Sequence, residues 1–183
     1  MPGLGGEVMR KLGAAAVTMA GSSIFPSLQS GAIDATEWVG PWNDMAFGFY
    51  QVADYYYWPG WHEPGSCMSA GFNLTVWNSL THSQKEVVKA ACAAENDYSL
   101  AEYNHFNGQA LKTLVEKHGV KLRRFSPEIL TALKKASTEV LQETADADPY
   151  ARKVYDSFSK SLALSKEWTR IGDQAFVQAR EDA

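Results

Sequence analysis

The sequence is short of several things, and each shortage removes a class of protein. Cysteine is nearly absent: Cys67 and Cys92 are the two in 183 residues, too few for a cross-linked framework, so two buried thiols are expected, with a single disulfide between them as the alternative. No run of about 18 apolar residues occurs, so no transmembrane helix is encoded. Neither charge sign is in large excess, with 17 Lys and Arg against 21 Asp and Glu for a net charge of −4. Without a basic stripe, no dedicated nucleic-acid surface is expected. The opening Met1–Gly6 has neither the basic nor the apolar region of a signal peptide. It reads as the middle of a protein, a turn opening a helix. Gly3-Leu4-Gly5-Gly6 lacks both the third glycine and the preceding strand of a dinucleotide-binding loop. His62, His82, His105 and His118 match no metal-binding spacing. The last three read as ordinary helix-cap or helix-surface residues. No nucleophile elbow and no Cys/His pair suggests covalent catalysis.

What is present, 45% hydrophobic and 21% charged, is able to bury a core, and the length fits one domain or two very small ones. Residues 1–37 predict a short α/β alternation. Glu7–Leu12 is helical and stops at Gly13, and Ala14–Met19 fits a buried strand. Ser22 and Ser23 are candidate caps for a helix ending at Gly31, and Ile33–Trp38 reads as a second strand. Residues 38–80 hold twelve of the 22 aromatic residues and are cut into pieces by Gly40-Pro41, Pro59-Gly60 and Pro64-Gly65. Met68–Trp77 alternates loosely, as a strand does. From Ser83 on, the spacing is helical, interrupted by a short strand at Val120–Phe125. Helix restarts at Ser126-Pro127 and again near Asp148-Pro149. The apolar positions of 83–118 and 128–179 keep no seven-residue repeat, so these helices should pack on a globular body rather than form a coiled coil.

Two carboxylates stand out. Glu37 follows a predicted strand and precedes Trp38, and Glu63 lies in Trp61-His62-Glu63-Pro64. An unpaired anion among indole and phenol rings is costly, so each carboxylate should pair, bind a cation or hold a proton. Ending near one aromatic cleft, they are able to bind a metal through oxygen or to act as an acid/base pair. Trp38, Trp61 and Phe72 are candidate apolar walls for a ligand.

Four segments carry a family likeness: Pro2-Gly3-Leu4-Gly5-Gly6-Glu7-Val8, Leu28-Gln29-Ser30-Gly31-Ala32-Ile33-Asp34-Ala35, Glu37-Trp38-Val39-Gly40-Pro41 and Tyr55–Gly65. With them the chain resembles, along essentially its whole length, the DctP-type solute receptors of tripartite ATP-independent periplasmic (TRAP) transporters. Within these it is most similar to the subgroup for α-keto acids, mannitol or chloroaromatic compounds. The resemblance implies an α/β periplasmic-binding-protein-like fold of which 1–183 is the C-terminal half. Residues 1–37 would be part of one α/β lobe, 38–80 the ligand-cleft segment, and 83–183 mainly helix. A signal peptide is expected in the other half.

The implied function is capture of a small organic acid, a 2-oxo acid, as a complex with Na⁺ or Ca²⁺. The acid would pass to TRAP permease subunits in the inner membrane, and no bond would be made or broken. Glu37 matches a carboxylate ligand of the bridging cation, Trp38 the neighbour offering its carbonyl, and Glu63 a further acidic ligand. The family's carboxylate-clamping arginine stands just before the Pro-Gly-Leu-Gly-Gly turn, where this sequence has Met1. This chain alone is therefore expected to bind its ligand poorly. Receptors of the subgroup can dimerise by exchanging a C-terminal helix, so residues 149–183 are expected to dock on a partner or on the body. Two rivals follow from the residues alone: an acid/base enzyme using Glu37, His62 and Glu63, and a helical interaction module without a ligand.

Overall fold

The computed structural model describes residues 3–63, 65–66 and 68–182. The chain forms two compact units, one of residues 18–127 and the other of residues 2–17 with 128–183.

In the first unit, α2 (Gly21–Ser30) ends at Gly31, whose φ of 71° turns the chain so that the Ala32 N–H reaches back to the Ser27 carbonyl. Only glycine takes that left-handed conformation without strain. An extended stretch leads to α3 (Pro41–Ala46), a 3₁₀ turn (Phe49–Gln51) and strand β1 (Tyr55–Trp58). A short α4 (Leu74–Ser79) precedes α5 (His82–Glu116) and strand β2 (Lys121–Arg124). β2 lies parallel to β1, with Tyr55 opposite Lys121 and Trp58 opposite Arg124. A parallel pair needs a long crossover, and α4 with α5 supplies it. The core is small: Ile24, Phe49, Ala110, Leu114 and Val120 are its buried apolar residues.

The 35-residue α5 begins with a reciprocal cap, in which the Thr81 side chain accepts from the Gln84 N–H and the Gln84 side chain accepts from the Thr81 N–H. Its C-terminal half packs on α3, where Trp42 stacks on Phe106 at 4.7 Å and meets the edge of Tyr103 at 5.2 Å. Its N-terminal half leaves Val87, Tyr98 and Leu100 more than half exposed.

The second unit is helical among the described residues: α1 (Gly3–Lys11), α6 (Pro127–Ala147), α7 (Pro149–Ile171) and α8 (Asp173–Glu181). Val8 of α1 and Leu133, Ala136, Val140 and Ala145 of α6 are buried. The last four recur at helical spacing, which makes one apolar stripe. Lys11 reaches Glu143 at 2.6 Å and Glu139 at 3.6 Å. Asp148 caps α7 by accepting from the Ala151 N–H, with Pro149 at the first helical position. No helix of the described residues is long and apolar enough to cross a membrane.

Several sequence expectations need correction. Neither 14–19 nor 33–38 is a strand, because the one ladder among the described residues is β1–β2. An extended, mostly exposed run becomes a strand only where a neighbour takes its backbone groups. The expected strand at 68–77 is broken by α4, which Asn73 starts by accepting from the N–H groups of Thr75 and Val76. Ser22 and Ser23 lie inside α2, whose N-cap is Ala20. Gly3–Gly6 belongs to α1 itself rather than to a turn before it. The helical region 128–179 breaks at Asp148-Pro149 as expected, and a second time, unexpectedly, at Gly172.

Cys92 is a free, exposed thiol on α5 rather than a buried one, and Cys67 lies outside the described residues. Strand β1 escaped the periodicity argument because Tyr-Tyr-Tyr-Trp has no alternation to read. Its partner β2 places Lys121 and Arg123 over Tyr55 and Arg124 over Trp58, at 5.2–5.6 Å. Cation–π contacts thus hold together two strands that bury little.

Candidate cation and ligand site

The stretch after Gly31 runs extended and brings Glu37 and Trp38 to the start of α3. The Trp38 ring packs against Phe47 at 4.9 Å. It also closes over Gly21, where an added Cβ would come within 2.8 Å of the indole. Gly21 is therefore the residue that leaves the Trp38 ring its place. The far end of β1 turns through a cis Trp58–Pro59 peptide and delivers Trp61, His62 and Glu63. The Trp61 ring lies 4.7 Å from that of His62.

These two branches converge. One ligand atom from each of Glu37, His62 and Glu63 falls within 4.8 Å of the others. His62 Nε2 is 3.6 Å from Glu37 Oε2 and 3.3 Å from Glu63 Oε1. These approaches suit charge pairing when the ring is protonated, yet neither has hydrogen-bond geometry, and both ring nitrogens are buried without a hydrogen-bond partner. The Trp38 Nε1–H is likewise buried and unpartnered. Buried donors and acceptors rarely go unsatisfied unless something else completes them. Two carboxylates and an imidazole with unpaired nitrogens fit a cation, and the oxygens suit a hard ion such as Na⁺ or Ca²⁺.

Beside this cluster lies a polar knot built around Asp44. Its Oδ1 accepts the N–H groups of Val39 at 3.2 Å and Gly40 at 3.3 Å, and its Oδ2 accepts the Tyr56 hydroxyl at 2.6 Å. Burial pushes the Asp44 carboxyl above its ordinary range, and the three donors partly offset that rise. Burial and the neighbouring Asp44 together carry the Tyr56 phenol well above its usual range, so it stays a donor. From α5, Asn107 Oδ1 accepts the Trp42 N–H at 3.0 Å. The same oxygen would sit 3.2 Å from a Cβ on Gly40, which keeps that position small.

Of the residues expected at the site, Glu37, Trp38, Trp61 and Glu63 are gathered around these two branches. Phe72 instead packs on Trp77 at 5.2 Å, ahead of α4. Asp44, Tyr56 and Asn107 were not singled out from the sequence. For Asp44 a signal exists, an acid in the first turn of a helix opened by Pro41. The other histidines are ordinary: His82 opens α5, His105 approaches Gln109 at 2.8 Å, and His118 stacks on Tyr50 at 3.9 Å.

Comparison with known proteins identifies the family. The DctP family, bacterial extracellular solute-binding protein family 7, matches residues 2–148. A monocarboxylate 2-oxoacid-binding periplasmic protein of Nostoc sp. (strain PCC 7120) is 37% identical over 176 residues, 96% of this chain and 48% of that protein. A TRAP transporter solute-binding protein from Bordetella bronchiseptica RB50, crystallised as a mixed-occupancy dimer with calcium and picolinate, is 32% identical with a TM-score of 0.91. It matches 100% of this chain and 54% of its own. One from Colwellia psychrerythraea with calcium and pyruvate is 31% identical with a TM-score of 0.90, covering 98% and 55%. One from Pseudoalteromonas atlantica T6c with sodium and pyruvate is 32% identical with a TM-score of 0.85, covering 97% and 54%. The chain thus spans about half the length of the relatives it matches. With four-fifths of its residues matched and the fold shared throughout, the chain belongs to the DctP family of bacterial extracellular solute-binding proteins.

Proposed function

We propose that this chain supplies the cation-holding half of a periplasmic receptor that captures a small 2-oxo acid and presents it to a TRAP permease. The observation that carries the reading is the convergence of Glu37, His62 and Glu63 within 4.8 Å, beside Trp38 and Trp61. Glu37 and Glu63 hold a Na⁺ or Ca²⁺ ion, with the Trp38 carbonyl as a further ligand. The ion in turn takes the carboxylate and keto oxygens of the acid. Trp38 and Trp61 wall the site, and Phe72 is the remaining wall candidate. In this scheme residues 1–37 are part of one lobe, 38–80 the cleft segment, and 83–183 the mainly helical remainder. The relatives crystallised with calcium or sodium and a 2-oxo acid support this ligand class. No solute-binding relative supports the acid/base enzyme.

Calorimetric titration of the full chain with Ca²⁺, and then with pyruvate, tests the reading. Cation binding should vanish in the Glu37→Gln, Glu63→Gln double variant, and the weak pyruvate binding expected of this chain should require the cation. Unchanged Ca²⁺ binding in a folded double variant refutes the site. Turnover of a 2-oxo acid abolished by Glu63→Gln would restore the enzyme.

A second copy is also part of the proposal. Helices α7 and α8 expose Tyr150, Phe158, Leu164, Trp168 and Phe176, between half and three-quarters of each. That is more apolar area than a free surface normally carries, and the Bordetella relative crystallised as a dimer. Light scattering should give twice the monomer mass, and Phe158→Asp with Trp168→Asp should restore the monomer. A monodisperse wild-type monomer at high concentration would sink this part.

A further inference from the structure

We propose that Asp44 and Tyr56 are positioning residues of the cation site, setting the distance between the branch that carries Glu37 and the branch that carries Glu63. The inference rests on the reading of those two glutamates as cation ligands. Glu37 and Trp38 lie on an extended stretch that no ladder holds. Two and three residues beyond Glu37, the backbone N–H groups of Val39 and Gly40 both donate to Asp44 Oδ1. The other oxygen of the same carboxylate accepts the Tyr56 hydroxyl at 2.6 Å. Tyr56 belongs to β1, where it pairs with Leu122 of β2 and is the strand's one half-buried residue. That strand leads directly into His62 and Glu63. A single carboxylate therefore bolts the first branch to the strand that delivers the second.

The knot has rigid supports on both sides. β1 is held by β2, and α3 is held on α5 by the Asn107–Trp42 hydrogen bond and the Trp42 ring stack. A half-buried carboxylate is tolerated because donors meet both its oxygens. Removing the Tyr56 hydroxyl leaves one oxygen without its donor and cuts the link between the branches. Two glutamates repel each other when no cation lies between them, so without the tie they should spread. Groups that hold metal ligands in place typically govern affinity by about 10–100-fold although they never touch the metal.

Terbium luminescence excited through tryptophan reads this directly, because Trp38 and Trp61 flank the site and Tb³⁺ takes the same hard oxygens as Ca²⁺. The full chain, confirmed folded by circular dichroism, is titrated with Tb³⁺ and with the lanthanide series from La³⁺ to Lu³⁺. Tyr56→Phe should weaken Tb³⁺ binding about 10–100-fold and flatten the dependence of affinity on ion radius. A purely structural role would not change that radius dependence. Asp44→Ala is read in the same way, so either folded variant decides. Asp44→Asn keeps an acceptor for the two backbone N–H groups and a partner for the phenol, and should stay within about threefold of wild type. Tyr98→Phe removes a comparable hydroxyl-to-carboxylate bond, to Glu102 at 3.2 Å on the exposed face of α5, and should change nothing.

Wild-type affinity and radius preference in folded Tyr56→Phe, beside a loss in Glu63→Gln, overturn the positioning role alone. Absence of Tb³⁺ binding by the wild type, or no loss in Glu63→Gln, overturns the cation reading and this inference with it.

Discussion

Residues 37–63 and residues 127–181 are held in place by different means. The later segment is three helices stacked end to end in sequence, with one apolar stripe, a helix-capping aspartate and a glycine break. Its order comes from backbone hydrogen bonds between residues four apart along the chain. The earlier segment has a six-residue helix, a 3₁₀ turn and a four-residue strand. Its shape depends on side chains reaching distant backbone: Asp44 to Val39, Gly40 and Tyr56, and Asn107 to Trp42. Within a helix or a ladder the backbone satisfies most of its own polar groups, and the free groups gather at the ends, where side chains such as that of Asp148 cap them. Irregular structure must borrow partners, and where it runs short, as at His62 and Trp38, unpaired groups are left for something else to complete.

The largest effect that would separate the two regions is in the helical core. Leu133→Ala, at a side chain only 5% exposed, should cost about 2–5 kcal/mol in urea unfolding. A loss under about 1 kcal/mol would mean that α6 is not an organising element. The matching change in the irregular region should act on binding rather than folding. Glu37→Gln with Glu63→Gln is expected to remove cation affinity by at least about a hundredfold while leaving the melting temperature unchanged or raised, since two facing negative charges are lost. Calorimetry beside a thermal melt separates the outcomes.

Next in size is Asp148→Ala, which strips α7 of its N-cap and should lower stability by about 1 kcal/mol. No such loss in urea unfolding would show that Pro149 alone defines that boundary. A smaller effect is expected in pH dependence. Burial raises the Asp44 carboxyl above its ordinary value near 3.8. Over the interval from that value up to the raised one, the folded chain holds a proton that the unfolded chain has released. Stability from this group is therefore greatest at low pH and falls as pH rises through the interval. Asp44→Asn should flatten that fall, as urea midpoints at stepped pH would show, and a steeper fall would reverse the assignment. Smallest of all, Lys11→Met removes the contacts to Glu139 and Glu143 on an exposed surface. It should leave the midpoint in ordinary salt unmoved.

The sequence by itself determined what rests on near-neighbour chemistry. Gly31 had to end α2, Pro127 and Pro149 had to open α6 and α7, and Val120–Phe125 had the alternating character of β2. The long motifs around Glu37-Trp38 and Trp61-His62-Glu63 pointed to the family and to both glutamates. Only the tertiary structure decided the remainder. Ala14–Met19 and Ile33–Trp38 have the composition of strands and do not form them, whereas Tyr55–Trp58 lacks a strand's alternation and forms one. In each case pairing depends on a segment remote in sequence, here β2, whose Lys121 lies opposite Tyr55. His62, whose spacing matched no metal motif and which the sequence placed only in the rival acid/base enzyme, enters the cluster because β1 brings it beside Glu37. Asp44 and Tyr56 likewise acquire a role through one hydrogen bond between two elements. Helix starts and stops are local energies, legible along a line. Strand pairing, burial of an acid and convergence of ligands are set by what lies across space, and only the folded chain brings those partners together.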